Sequence, residues 1–249
     1  MTFMTDSILD LATSSSPRSD GGAVLRGVVL RVDELARRDR DGMFALYARY
    51  FTHVSQTVFE RDLDEKHWVV LLRDDDGTID GFSTLLRMDV AGRTIFFAGD
   101  TIGARHRWGT TDLGRLWLRH VHALASASAR EVYWFLISSG FRTYRFLPIF
   151  FRDFHPRFDR ATPELKSLLD AIAARKFGAA YDAATGIVRL AAPAPLRDGV
   201  SDPARRALHD PHVRFFVQAN PGHADGDELA CLVRVSDDNL TAAGLRMLR

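Results

Sequence analysis

The sequence predicts a mixed α+β fold, a central and mostly antiparallel sheet flanked by helices, with a C-terminal extension. Three observations carry this. Short apolar runs ended by tight turns lie in succession between Trp68 and Ile102. Segments with apolar residues at helical spacing stand before and after them. No linker and no internal repeat divides the 249 residues, so one domain over 23–249 is expected, with a core at about 24–158 and a C-terminal part at about 159–249.

Residues 1–22 combine Ser, Asp and Gly without periodicity and read as a flexible tail. The run AVLRGVVLRV from Ala23 suits a strand, and the charged DELARRDRDG follows it. From Met43, apolar residues at 43, 44, 46, 47, 50, 51, 54 and 58 predict one helix to about Leu63. HWVVLLRD, IDGFSTLLRMDV and RTIFFAGDTI then read as consecutive antiparallel strands, separated by the turns DDDGT and AGR. Thr110 or Thr111 can cap a helix with apolar positions 113, 116, 117, 121 and 124.

EVYWFLIS is a further strand, and GFRTYRFLPIFFRDFHPRFD predicts a helix interrupted near Pro148. ELKSLLDAIAARKFG reads as a helix stopped by Gly178. Later strands are expected at GIVRLAAPAP, HVRFFVQANPG and ELACLVRVS, a helix at SDPARRAL, and a closing helix in DDNLTAAGLRML.

The bulk numbers narrow the function. With 33 basic and 32 acidic residues there is no general polyanion-binding signal, so a nucleic-acid partner is not expected. The single cysteine, Cys231, excludes an intramolecular disulfide and a cysteine-rich zinc site. No apolar run approaches the roughly 20 residues that cross a bilayer, and the N-terminus lacks a secretory pattern. A cytoplasmic location is therefore expected. His120 and His122 point to different helix faces at their two-residue spacing, so no metal site is expected from them.

The stretch GDTIGARHRWGTTDLGRLWLRHV crowds Arg105, His106, Arg107, Gly109, Thr110 and Thr111 at a strand-to-helix turn. Amides at a helix N-terminus and the positive end of its dipole favour a phosphate there, and a glycine allows close backbone approach. A plain capped helix behind a solvated basic turn fits the same residues, and Asp112 in the first turn suits the helix dipole but would repel a bound diphosphate unless it points away.

The order strand, helix, three strands, glycine-containing turn, helix, strand resembles the GNAT superfamily of acyl-coenzyme A-dependent N-acyltransferases from about Val24 to Phe158. The carrying stretches are IDGFSTLLRMDV, TIFFAGDTIGARHRWGTTDLGRLWLRHV and EVYWFLISSGFRTYRF. The family's pyrophosphate loop, Arg or Gln, two variable residues, Gly, one variable residue, Gly or Ala, aligns with His106 to Thr111, where the first glycine is kept as Gly109. The resemblance implies an acyl-CoA donor, an amine acceptor, and a fourth and fifth strand that splay around the pantetheine arm. Main-chain groups of Thr101, Ile102 and Gly103 would then hold that arm.

The resemblance also implies a tyrosine past the fifth strand that protonates the coenzyme thiolate, here Tyr144, although Tyr144, Tyr133 and Tyr47 all suit a core role as well. Asp100 and Glu60 are the candidate bases. Seven of the 17 phenylalanines lie between Phe135 and Phe158, as core or as the wall of a groove for a medium or long acyl chain. The interleaved Arg142, Arg145, Arg152, Arg157 and Arg160 suit a solvated face, a coenzyme phosphate, or an acidic acyl-carrier protein. Three functions are compatible with these residues: an acyl-CoA N-acyltransferase acting on a small molecule or peptide, a carrier-protein-dependent N-acyl amino acid or lipopeptide synthase, and a non-catalytic module that keeps the fold.

Overall fold

The computed structural model describes residues 26–107, 110–197, 200 and 205–249, so the expected N-terminal tail and the helix start at Ser201 lie outside the described residues. Among the described residues eight strands form one sheet in the order β1-β2-β3-β4-β5-β8-β7-β6. The strands are β1 Arg26–Arg31, β2 Trp68–Arg73, β3 Ile79–Val90, β4 Arg93–Gly103, β5 Val132–Ser138, β6 Tyr181–Asp182, β7 Ile187–Val188 and β8 Glu228–Arg234. Every neighbouring pair is antiparallel except β4 and β5. That parallel step requires a crossover, which α3, Asp112–Ser126, provides. The fold class is the one the sequence predicts.

The β3–β4 hairpin follows from two residues. Val90 pairs with Arg93, and the loop residues Ala91 and Gly92 have φ of 50° and 74°. Two left-handed residues make the turn whose twist matches the flanking strands. Gly92 adopts this freely, whereas Ala91 brings a Cβ into a conformation L-residues disfavour.

Helices cover both faces. On one face α3 and α4, Phe141–Phe150, join α6, Pro211–Ala219, and α7, Ala242–Leu248, over a core centred on Trp117, Trp134 and Phe146. In α3 the buried Leu113, Trp117 and Val121 recur every four residues, with Gly114 and Leu118 beside them. On the other face α1, Arg37–Tyr50, and α2, Gln56–Asp64, cover the β1–β4 half, while α5, Pro163–Phe177, covers the β5–β8 half. Pro163 opens α5 and Gly178, at φ 55°, ends it.

The structure corrects four expectations. The single helix over 43–63 is two helices, because the chain extends at Phe51 and His53 takes a φ of 56°. The preceding charged stretch from Arg37 belongs to the first of them. HVRFFVQANPG is helical rather than a strand: Asp210 caps it by accepting from the His212 amide, Pro211 stands at its start, and Val213 and Phe216 share its buried face. GIVRLAAPAP forms only the two-residue β7. Pro148 does not interrupt α4, because it falls in the last turn.

Replacing Ala91 by Asn, which tolerates the left-handed region, is expected to stabilise the hairpin by about 1 kcal/mol. Thermal denaturation should show a rise of roughly 2–4 °C for a chain of this size. An unchanged or lower melting temperature would show that the turn is unstrained.

Candidate functional site

β4 and β5 pair only over Thr94–Phe97 and Val132–Phe135. Beyond that, β4 stays with β3 as far as Gly103 and β5 stays with β8 as far as Ser138, so the two strands part from one another. The divergence has a local cause. Leu85 faces Ala98 and Ser83 faces Thr101, so β4 carries one more residue than β3 between these pairs. Such a bulge bends a strand away from its neighbour. Gly99 lies in it, where a Cβ would stand 2.0 Å from Thr84 Oγ1 and 2.7 Å from Lys66 Cε.

On the α3 face of the opening, the Ser83 and Thr101 hydroxyls share a 2.6 Å hydrogen bond. Leu113, Trp117, Trp134 and Phe146 close in beneath them, leaving a void of about 10 Å³. Trp117 and Trp134 rings lie 4.3 Å apart between centroids. At rest this side is filled by aromatic packing. Phe135, by contrast, points to the α5 face, against Phe97 and Phe177.

The opposite face is polar. Alternation puts Asp100 on the same side as Ile102, toward α1 and α2, and Glu228 on the same side as Ala230, toward α5. Asp100 is 3% exposed and Glu228 is fully buried. Neither carboxyl oxygen of Glu228 has a hydrogen-bond partner, and the buried Tyr47 hydroxyl of α1 also has none. Burial, with the charges of Asp100 and Asp227 added, raises the Glu228 pKa well above the carboxylate range. Burial raises the Tyr47 pKa as well, helped by Asp100, Glu228 and Asp62. Lys66 is fully buried but already paired with Asp62 at 2.8 Å.

Two contacts hold this nest in place. Asn220, itself buried, donates to the Ser138 and Asp227 carbonyls at 3.3 and 2.8 Å and so ties the start of β8 to the end of β5. Lys176 of α5 pairs with Glu65 at 2.9 Å, joining the end of α2 to α5 above β4.

At the end of β4 the basic turn is organised by one carboxylate. Asp80, 3% exposed, accepts from Arg107 Nε at 3.0 Å and meets His106 Nε2 at 3.1 Å. The Arg105 amide donates to the Tyr50 hydroxyl at 2.7 Å. The charge of Arg107 is therefore compensated within the chain, and His106 and Arg107 have fixed orientations. Thr111 precedes α3 without a side-chain cap. Gly109, with Trp108, lies outside the described residues.

Several expected site residues are elsewhere. Tyr144 is buried with its hydroxyl donating to the Pro156 carbonyl at 3.0 Å, amid Phe154, Phe215 and Phe216. Phe146, two residues further on, faces Trp117 and Trp134. Two residues subtend about 200° on a helix, so Tyr144 turns away from the opening. Glu60 belongs to an outer network on α1 and α2, held by Arg37 at 3.0 Å and Gln56 at 3.0 Å. It clamps two helices.

The arginine stripe is also engaged: Arg145 pairs with Asp210 at 2.9 Å, Arg142 donates to the Val200 carbonyl, Arg152 to the Leu240 carbonyl, and Arg157 and Arg160 bind Asp153. Six of the seven clustered phenylalanines are core residues, and Phe158 alone is largely exposed, at 48%. The groove of about 750 Å³ between α5 and the β3–β4 hairpin lies at the far end of β5, with Arg93 and Arg234 both paired to Glu131. Among the described residues no group of three or more His, Cys, Asp or Glu could hold a metal ion, and no helix is long and apolar enough to cross a membrane.

Sequence reasoning misses Glu228. A signal exists in ELACLVRVS, where one acid opens an otherwise apolar strand, yet its burial depends on α5 and the neighbouring strands.

No protein-family model and no curated protein matches the sequence. Among solved structures, similar chains include a GNAT family N-acetyltransferase (YhbS) from Escherichia coli in complex with CoA, at 15% identity and TM-score 0.34 over 50% of this chain and 67% of that one. An acetyltransferase from Trypanosoma brucei is 16% identical, with TM-score 0.36 over 55% and 99%. N-acetylglutamate synthase from Neisseria gonorrhoeae, complexed with coenzyme A and N-acetyl-glutamate, is 12% identical, with TM-score 0.36 over 57% of this chain and 32% of that one. Overlaps this partial leave any functional reading to the geometry of the splayed strands.

The raised Glu228 pKa has a sign that can be measured. Below the ordinary carboxylate range, folded and unfolded chains are both protonated there and no penalty exists. Above it the unfolded chain ionises while the folded one keeps its proton, so stability falls as pH rises, by up to about 1.4 kcal/mol per pH unit. Glu228→Gln is therefore expected to melt higher than the parent at pH 7–8 and to lose that advantage near pH 4. Parallel melting curves for the two proteins across this range would refute the unpaired buried acid.

Proposed function

We propose that the protein is an N-acyltransferase that moves an acyl group from an acyl-CoA thioester to an amine of a small molecule or peptide. The observation that carries this reading is the parting of β4 from β5 at a bulge flanked by buried carboxyls. Main-chain groups of Thr101, Ile102 and Gly103 line the β4 edge of the opening and would hold the pantetheine arm. The turn from Arg105 to Thr111, with Arg107 aimed by Asp80 and α3 lacking a side-chain cap, would receive the diphosphate.

The amine would approach from the α1–α2–α5 face, where Asp100 lies. Attack on the thioester carbonyl requires loss of a proton from the ammonium and delivery of one to the departing sulfur. Asp100 is the proposed base. The Tyr144 hydroxyl is already bound to a carbonyl and turned toward α6, which supports a structural role for it.

A second reading, a non-catalytic binding module, is favoured by one observation, the aromatic filling that leaves about 10 Å³ on the α3 side of the opening. Entry of a donor there requires Leu113 or Trp117 to yield.

Calorimetric titration with acetyl-CoA and decanoyl-CoA, followed by thiol-release assays with a panel of primary amines, tests both readings. Saturable thioester binding with amine-dependent thiol release is expected. Binding without release supports the module, and no binding at millimolar thioester removes the acyl-transfer reading. Tyr144→Phe is expected to change turnover by less than about threefold, whereas an essential proton donor would cost about a hundredfold or more.

A further inference from the structure

We propose that Glu228 receives the acceptor's ammonium, and that the site takes a compact primary ammonium and sheds a proton to solvent when it fills. The chemical step after binding rests on the acyl-transfer reading, whereas the binding itself stands apart from it.

The first ground is the missing partner. Three other buried or half-buried carboxylates are matched, Asp39 by Arg73, Asp80 by Arg107 and Asp62 by Lys66. Glu228 is fully buried and neither oxygen is bonded. A polar group left so is costly, and such groups recur where a ligand completes them.

The second ground is placement. Glu228 opens β8 at the end of β5 that β4 has left, on the face that carries Asp100. Asn220 fixes this strand end through two hydrogen bonds. The Tyr47 hydroxyl of α1, equally unpartnered, lies within the same electrostatic field and can accept an N–H bond.

The third ground is charge balance. Among the described residues the groups around the nest are Asp100 from β4, Tyr47 from α1, Asp62 from α2 with Lys66 just past its end, Asp227 beside Glu228 and paired with Arg189 at 3.1 Å, and the Glu65–Lys176 pair joining α2 to α5. Both lysines and Arg189 are already paired, and the acceptors left without a partner are the Glu228 oxygens and the Tyr47 hydroxyl. A small ammonium, with three donors, matches the unused acceptors, whereas a quaternary ammonium offers none.

The chemistry balances. Burial keeps Glu228 protonated at rest, so an incoming ammonium displaces that proton to solvent and leaves an ion pair. On transfer, Asp100 takes one N–H proton, the nitrogen forms the C–N bond, and the C–S bond breaks. A second proton ends on the sulfur, and the third remains on the amide. The products are amide, free thiol and protonated Asp100, whose proton passes to Glu228 as the resting state re-forms.

Propylammonium chloride titrated calorimetrically into the intact chain at pH 7.5, in phosphate and in HEPES, reports both affinity and proton release. The expected result is release of about one proton per bound amine, with tetramethylammonium at least tenfold weaker. Glu228→Gln should weaken propylammonium at least tenfold and abolish the buffer dependence, as expected for loss of a charged hydrogen bond. Tyr47→Phe should weaken it by a few fold and keep the proton release. No amine binding by the parent protein, or unchanged affinity or proton release in Glu228→Gln, overturns the proposal. Acetyl-CoA titration of the same preparations separates the two readings: amine binding without thioester binding overturns acyl transfer alone, and thioester binding without amine binding overturns this proposal alone.

Discussion

The seam between β4 and β5 is the constraint on which the rest of the molecule depends. Two antiparallel half-sheets, β1–β4 and β5–β8, meet only through a parallel contact at Thr94–Phe97 and Val132–Phe135. Parallel pairing at this point requires α3 as a crossover, which places the start of that helix beside the end of β4. Past Phe97 the bulge at Gly99 and Asp100 turns β4 outward while β5 stays with β8. One extra residue in one strand thus creates an opening in the middle of a sheet, where backbone donors and acceptors otherwise face each other.

The two faces of the opening differ because different elements cover them. Toward α3 and α4 the covering side chains are Trp117, Trp134 and Phe146, and burial of aromatic surface fills the space. Toward α1, α2 and α5 the buried set includes Asp100, Glu228, Tyr47 and Lys66 beside the apolar side chains. Such a concentration of buried polar groups works against stability. Its persistence beside a strand opening is the physical basis for reading function here rather than at the larger, internally paired groove near Arg93 and Arg234.

Much of the fold is legible in linear order. The β3–β4 hairpin at Ala91–Gly92, the apolar spacing of α3, and the Pro163 and Gly178 bounds of α5 are local effects of backbone conformation and side-chain periodicity. Segment 212–222 has an apolar run short enough to pass for a strand, and only the Asp210 cap and the buried face of Val213 and Phe216 make it helical. In the site, Asp100 is legible as an acid at the end of an apolar strand. Glu60 and Tyr144 stand at equally suggestive positions in the sequence, yet one meets Arg37 on the outer surface and the other meets Pro156 in the core.

The class of fold, the succession of strands from β1 to β5 and the basic turn before α3 follow from the linear order of residues, since propensity, periodicity and turn chemistry act over a few residues. Which polar side chains stay without a partner is set by contacts between distant parts of the chain. Arg107 is compensated by Asp80, distant in sequence, and Glu228 is fully buried with neither carboxyl oxygen bonded. Whether a charged side chain is solvated, paired or buried alone depends on its neighbours in space, and that neighbourhood exists only once β8 has closed against β5.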